Sequence, residues 1–359
     1  MKRWKVGLVG CGTIAYHDYL PEMLEMPNVD VVAVCDIIPE RARRCAEEFH
    51  IGEWYEDIDE MLEKSDIEIL IDTAPIPAHF EINLKALQAG KHLYSQKPIA
   101  TTVEECEMLI NEARKRNLKI SASPIHMLRP DIKEARRIIE SGLLGKISLA
   151  KCSVSHGGPE YFQFRDTDPA WFYQVDGGGA LGALLDLGVH ALHILTGLLG
   201  PAKKVSCFSG ISEKRRIARS GSFDGKEIVP EADDNTVLLV DFGDSTFGMI
   251  DSTYCVKASK SPSLEIFGSR GTITFLEGQE VPFVMFLDNV ENNVRGWMNP
   301  VVNLPKIKQS CGVQDLIEAI ENDREPTLKA EHALHVIEII GKAILSSKEG
   351  KTLELKTIF

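Results

Sequence analysis

Through the first third of the chain, short apolar runs alternate with longer stretches of mixed character. Residues 5–9 form the first run, which ends in glycines and leads into a helix-like stretch to about residue 26. Residues 29–35 are almost continuously apolar, the pattern of a strand buried on both faces. Residues 39–49 read as a helix with Pro39 in its first turn. A strand follows at 67–71, a helix at 78–89 stopped by Gly90, a strand at 92–95, a helix at 103–116 and a strand at 119–123. Strands that alternate with helices predict a mostly parallel sheet covered on both sides.

The pattern changes near Pro124. One helix is expected at 131–140, closed by Gly142, and β-rich runs then dominate: 147–156, 204–210, 236–242, 246–254, 263–267, 272–275 and 284–287. Gly243-Asp244 between two of them signals a hairpin. Helices at 313–322 and 331–346 close the chain. This predicts an α/β unit over residues 1–124 followed by an α+β unit with an open, mostly antiparallel sheet over residues 125–359. Residues 209–230 are polar and basic and read as a surface excursion.

Composition narrows the partners. A length of 359 residues suits two domains, and 44% apolar with 26% charged residues is ordinary for a globular protein. A net charge of −13 argues against nucleic acid and against an anionic membrane surface, which leaves a small molecule as the expected partner. The eight cysteines are scattered without a C-x-x-C pair, so reduced thiols of a cytoplasmic protein are expected. The opening apolar run is too short for a signal peptide, and no stretch approaches a membrane span.

Gly10-Cys11-Gly12-Thr13-Ile14-Ala15 fits G-x-G-x-x-A between a strand and a helix. The first glycine permits the tight turn, the second lets a pyrophosphate approach the backbone, and the small third residue lets helix and strand pack closely. Asp36 ends the second strand about twenty residues later, where a carboxylate binds ribose hydroxyls. A carboxylate there repels a 2′-phosphate, so NAD is expected, with NADP less favoured. Arg41 and Arg43 follow close by and argue the other way.

Lys97-Pro98 ends the strand at 92–95. In open α/β sheets ligands bind beyond the carboxyl ends of strands, so Lys97 is positioned to stabilise a developing alkoxide. A surface lysine before a turn is the plainer alternative. Asp186 and His190 stand four apart and share one face of a helix, with His193 on that face too. The histidine suits proton transfer near neutral pH; an ordinary amphipathic helix is the alternative. The three could also hold a metal, but no further ligand is evident nearby, and no metal is expected.

Together these pieces resemble the Gfo/Idh/MocA oxidoreductase family, whose members include glucose–fructose oxidoreductase and inositol dehydrogenase. The likeness rests on the glycine turn, on Thr73-Ala74-Pro75-Ile76-Pro77-Ala78-His79, on residues 89–100, on Asp186-x-Gly188-x-His190 and on Asp323-Arg324-Glu325-Pro326. It implies a Rossmann domain, then an open-faced sheet domain whose sheet pairs subunits into a homo-oligomer, a dimer or tetramer. It implies hydride transfer between nicotinamide and a hydroxyl-bearing carbon of a sugar, sugar derivative or cyclitol. Lys97, Asp186 and His190 would be catalytic, with His190 as general base. Cofactor contacts would come from residues 10–15, Asp36, Thr73, Ala74, Pro75, His79, Gln96 and Lys97.

Three departures bear on this. Gln96 replaces the family's usual glutamate, Ile76 replaces an asparagine, and Asp186 lies three residues later than usual after the glycine run at 177–179; the position commonly acidic after the histidine is His193. His126 and Arg129 resemble polar residues that face the cleft, with a helix cap or interdomain contact as the alternative. The aromatic-rich segment 161–173, with Trp171 and Tyr173, suits a sugar ring or a packed loop. A glycosidase that keeps its NAD and oxidises the sugar transiently, and a non-catalytic sugar or cofactor sensor, are the competing functions.

Overall fold

The structure is a computed structural model and describes residues 2–164, 167–175, 182–276, 281–289, 293–300, 304–305 and 307–359. The expected parallel sheet is present. Strands β1 (Trp4–Val9), β2 (Val29–Cys35), β3 (Glu53–Tyr55), β4 (Ile69–Asp72), β5 (His92–Ser95) and β6 (Ile120–Ala122) lie in the order β3-β2-β1-β4-β5-β6, all pairs parallel. The chain order reverses between β1 and β4, which makes the carboxyl edge of these two strands the crevice where a ligand binds.

Helices α1 (Leu20–Leu24, entered through a π turn at Ala15–Tyr19), α2 (Pro39–Phe49), α3 (Ile58–Lys64), α4 (His79–Gln88) and α5 (Val103–Lys115) connect the strands. Local chemistry fixes their ends. Thr102 and Glu105 form a reciprocal capping box at the start of α5. Gly90, at φ +77°, turns the chain after α4. The sequence pattern did not reveal β3 and α3. β3 is a three-residue edge strand with Glu53 and Trp54 exposed, so it carries no apolar run; Asp57 caps α3 by accepting the Asp59 N–H.

The second part contains α6 (Pro130–Glu140) and α7 (Val189–Leu199, entered through a π turn at Leu184–Gly188). Its strands are β7 (Ile147–Ser153), β8 (Lys204–Gly210), β9 (Arg216–Ile217), β10 (Glu227–Ile228), β11 (Asn235–Gly243), β12 (Thr246–Thr253), β13 (Leu264–Gly268), β14 (Gly271–Phe275), β15 (Phe283–Asn289), β16 (Val294–Met298) and β17 (Leu353–Glu354). Nine of them form one sheet, β16-β15-β14-β13-β7-β12-β11-β8-β17, antiparallel except at β7–β12. Helices α8 (Cys311–Glu321) and α9 (Ala330–Glu349) return to the first sheet: Ser121 of β6 bridges Lys329, and the Trp4 indole donates to Glu321.

One apolar core runs through both parts. The outer face of the large sheet is different. Phe208 (80% exposed), Leu239, Phe247 and Met249 all present side chains to solvent on neighbouring strands. The excursion at 209–230 is also not what its composition suggests. It folds the β9–β10 hairpin inward and delivers an arginine, Arg216, whose side chain is fully buried. Among the described residues no helix is long and apolar enough to cross a membrane.

The glycine turn is sterically committed. Gly10 has φ +90°, and a Cβ there would lie 2.5 Å from the Ala74 nitrogen. Gly10→Ala is expected to cost at least about 2 kcal/mol of unfolding free energy, from strain plus the backbone clash, as read by urea denaturation. An unchanged midpoint would show that the turn relaxes.

Candidate active site

The carboxyl ends of β1, β2, β4 and β5 gather the cofactor residues named from sequence. Asp36, just beyond β2, is buried; one carboxylate oxygen accepts the Cys11 N–H and the other the Ile38 N–H, each at 2.9 Å. The carboxylate thus braces the glycine turn while each oxygen keeps a lone pair for a ribose hydroxyl. A Cβ on Gly12 would meet nothing within 4 Å, which leaves the room a pyrophosphate needs beside the helix start at Thr13, Ile14 and Ala15. Thr73 ties the second loop to the first: its hydroxyl donates to the carbonyls of Val9 and Gly10 at 3.0 and 2.8 Å. The Ala74 N–H donates to Asp72, and Pro75 leads into the short turn before α4. The buried His79 ring spans two loops, with Nδ1 2.6 Å from the Pro98 carbonyl and Nε2 2.7 Å from that of Ala74. Residues and space therefore fit a dinucleotide.

Gln96 and Lys97 follow β5. The Gln96 amide donates to the Tyr19 hydroxyl at 2.7 Å, and its carbonyl accepts the Lys97 N–H at 3.1 Å. Tyr19 in turn donates to Tyr94. An amide suits this place: it offers Tyr19 a donor, so Tyr19 keeps its own proton for Tyr94.

Lys97 and Asp186 meet across the two parts of the chain. The ammonium lies 2.7 Å from Asp186 Oδ1 and 2.9 Å from the Asp186 carbonyl. The Tyr254 hydroxyl donates to Asp186 Oδ2 at 2.9 Å. Burial alone would push the Asp186 carboxyl up; the Lys97 charge, its hydrogen bond and Tyr254 outweigh that and hold it below the usual value. Asp186 sits within the π turn and His190 in the first turn of α7. The two side chains nevertheless take different partners. Asp186 takes Lys97 and Tyr254, and His190 takes His126, with Nδ1 of His190 2.9 Å from Nε2 of His126. Burial first, and then the Lys97 charge, keep His190 well below the ordinary histidine range.

A cleft of about 620 Å³ opens here, walled by His126, Arg129, Leu187, His190, Ser155 and Phe275 among others. Lys97 and Asp186 are not on its wall. Arg129 reaches it while paired with Asp131 at 2.5 Å.

Three expected substrate contacts lie elsewhere. His193 is turned into the core, bonded to the Val189 carbonyl of its own helix and packed on His332 of α9, because three residues beyond His190 the helix faces α9. Tyr173 is buried; its hydroxyl donates to Glu160 and its ring packs edge-on against Tyr254. Trp171 is half-buried, packs edge-on against Phe172 and does not reach the cleft wall. The glycine run at 177–179 and residues 165 and 166 lie outside the described residues.

Sequence reasoning missed what stands behind Asp186. Arg216 pairs with Glu160 and Asp234 at 2.7 Å each, and its guanidinium lies over the Tyr173 ring. Tyr173 then supports Tyr254, which holds Asp186. His156 stacks on Tyr254, and its Nδ1 accepts the Gly158 N–H, which places its proton on Nε2. A lone aromatic at a strand end and one arginine in a basic loop carry no spacing signal, so of this network only Tyr173 was singled out.

Residues 4–123 match the family described as "Oxidoreductase family, NAD-binding Rossmann fold", and residues 132–274 match its "GFO/IDH/MocA C-terminal domain". The chain belongs to the GFO/IDH/MocA oxidoreductase family. It is 30% identical over 275 residues to a dTDP-3,4-didehydro-2,6-dideoxy-alpha-D-glucose 3-reductase of Saccharopolyspora spinosa, covering 75% of this chain and 73% of that one. It is 32% identical over 145 residues to an inositol 2-dehydrogenase/D-chiro-inositol 3-dehydrogenase of Lactiplantibacillus plantarum, covering 40% and 41%. In fold it is similar to a levoglucosan dehydrogenase solved with NADH, with TM-score 0.82 and 19% identity over 99% of this chain and 100% of that chain. The sheet order, the glycine turn and the strand-end lysine described above are thus features of a family member.

The buried histidines of this family member give its stability a pH signature. Burial lowers His126, His190 and His332 well below the usual range and His193 and His335 to about 4. These rings are neutral when folded, whereas the unfolded chain takes up protons below about pH 6.5, so stability is lost as pH falls from that value toward the folded values. Each ring held near 4 is expected to cost about 2 kcal/mol at pH 5. Urea unfolding should show a lower midpoint at pH 5 than at pH 7.5, with a flatter slope in His335→Gln; equal slopes would contradict the assignment.

Proposed function

We propose that the chain is an NAD-dependent dehydrogenase acting on a CH–OH group of a sugar, sugar derivative or cyclitol. The observation that carries this reading is the Lys97–Asp186 contact at 2.7 Å, formed where the carboxyl edge of the first sheet meets the helix that bears His190. Bound NAD would supply the hydride acceptor in oxidation and the donor in reduction.

The chain's own residues do the rest. The turn of Gly10, Gly12, Thr13, Ile14 and Ala15 would cradle the pyrophosphate, and Asp36 would take the ribose hydroxyls and disfavour a 2′-phosphate. Thr73, Ala74, Pro75, His79 and Gln96 would line the nicotinamide side. Lys97 would hydrogen-bond the reacting oxygen and stabilise its negative charge, with Asp186 holding the ammonium in place. His190 would take the hydroxyl proton in oxidation and return it in reduction. His126 and Arg129 would face the substrate from the cleft wall. The stripe of Phe208, Leu239, Phe247 and Met249 supports pairing of the open sheet with a second copy into a dimer or tetramer.

Three measurements test this. The protein is incubated with NAD or NADP and a panel of sugars and inositols while reduced cofactor is followed. Net reduction of NAD is expected, and aglycone release without net reduction would point to a glycosidase instead. Lys97→Met is expected to lower kcat at least about 100-fold while NAD affinity stays the same; full activity in that variant would remove Lys97 from the chemistry. In light scattering, Phe208→Asp with Leu239→Glu is expected to yield monomers. An unchanged mass would place the interface elsewhere.

A further inference from the structure

Resting on that dehydrogenase reading, we infer that His126 is the proton-sharing partner of His190, so that the two rings act as one base. Their nitrogens are 2.9 Å apart, and the rings meet edge to face at 5.1 Å. One N–H stands between two ring nitrogens, so the tautomer of each ring fixes that of the other. His126 Nδ1 is buried and has no hydrogen-bond partner among the described residues, so His190 alone sets the His126 tautomer. His190 Nε2 likewise has no hydrogen bond among the described residues, and the ring lines the cleft. When His190 donates Nδ1–H to His126, its Nε2 presents a lone pair to the substrate hydroxyl.

The proton balance closes. In oxidation the hydroxyl proton moves to His190 Nε2, while bound NAD would accept the hydride. The Nδ1 proton of His190 then passes to His126 Nε2, which leaves His190 neutral and His126 cationic until the proton returns along the same hydrogen bond and His190 Nε2 releases one into the cleft. Reduction runs the same path backwards. The charges around the pair explain why a second ring helps. His190 faces Lys97, His193 and Arg129, with Lys97 foremost. His126 faces His190, Arg129, His193 and Lys97, with Lys97 last, and Arg129 is already paired with Asp131. Passing the proton onward moves positive charge away from the Lys97 ammonium, which after burial is the largest penalty on a charged His190. Among the described residues no carboxylate bonds to either ring, so His126 takes the orienting place a carboxylate often holds.

The test is histidine ¹⁵N NMR on the full chain at pH 7, with the two rings assigned through His126→Gln and His190→Gln. Neutral Nδ1–H tautomers are expected for both rings. A His190 proton on Nε2 would overturn the proposal, and this readout needs no substrate, so it stands apart from the dehydrogenase reading. On whichever panel substrate is turned over, His126→Gln keeps an acceptor for His190 but cannot take a proton. That variant is expected to lower kcat about 100-fold and to alter its pH profile, with melting temperature and NAD affinity unchanged. A wild-type kcat and pH profile in His126→Gln would reduce His126 to packing, whatever the tautomers.

Discussion

The site is organised by one electrostatic requirement: a lysine ammonium placed at a strand end, only 16% exposed, needs a fixed negative partner. Asp186 answers it from the other half of the chain. That contact ties the edge of the parallel sheet to the helix resting on the open sheet. Each partner is held from behind. Gln96, Tyr19 and Tyr94 hold the lysine backbone, and Tyr254, Tyr173, Glu160 and Arg216 hold the carboxylate. Losing one side of such a pair leaves a poorly solvated charge, so both supporting networks matter to the geometry of the other.

The aspartate's support explains a feature that composition hides. A polar, basic loop delivers an arginine with no exposed side-chain surface, neutralised by two acids from distant segments. The hairpin thus becomes part of the scaffold of the site, and its charge is spent internally. Asp234, which precedes β11, serves the arginine with one oxygen and the N–H groups of Ser212 and Glu213 with both. The loop, the strand start and the tyrosine pair are thus linked behind Asp186.

Much of this was legible because its signals are local. The glycine turn, Asp36 and the apolar runs of β1, β2 and β5 depend on neighbours within about thirty residues, so spacing alone placed them. The lysine and the Asp186–His190 helix were found as residues, but their distribution of partners was not. A π turn replaces the regular helix between them, and no residue type announces it. His193 was misplaced for a related reason: a periodic pattern tells which residues share a face, not which neighbour that face meets. Tyr254, Glu160 and Arg216 come together only through long-range folding, which leaves no mark in spacing. Tyr173 stood out for its aromatic ring, yet the ring is spent on Tyr254 and the hydroxyl on Glu160.

The central claim is that the Lys97 ammonium and the His190 imidazole address one reacting oxygen beside the nicotinamide. A crystal structure of the full chain with NAD tests it most directly. The account predicts the nicotinamide at the carboxyl edge of β4 and β5, with its ring facing the gap between Lys97 Nζ and His190 Nε2, and with the Asp36 carboxylate on the ribose hydroxyls. A nicotinamide bound away from that gap, or the two groups turned to opposite sides of it, would contradict it.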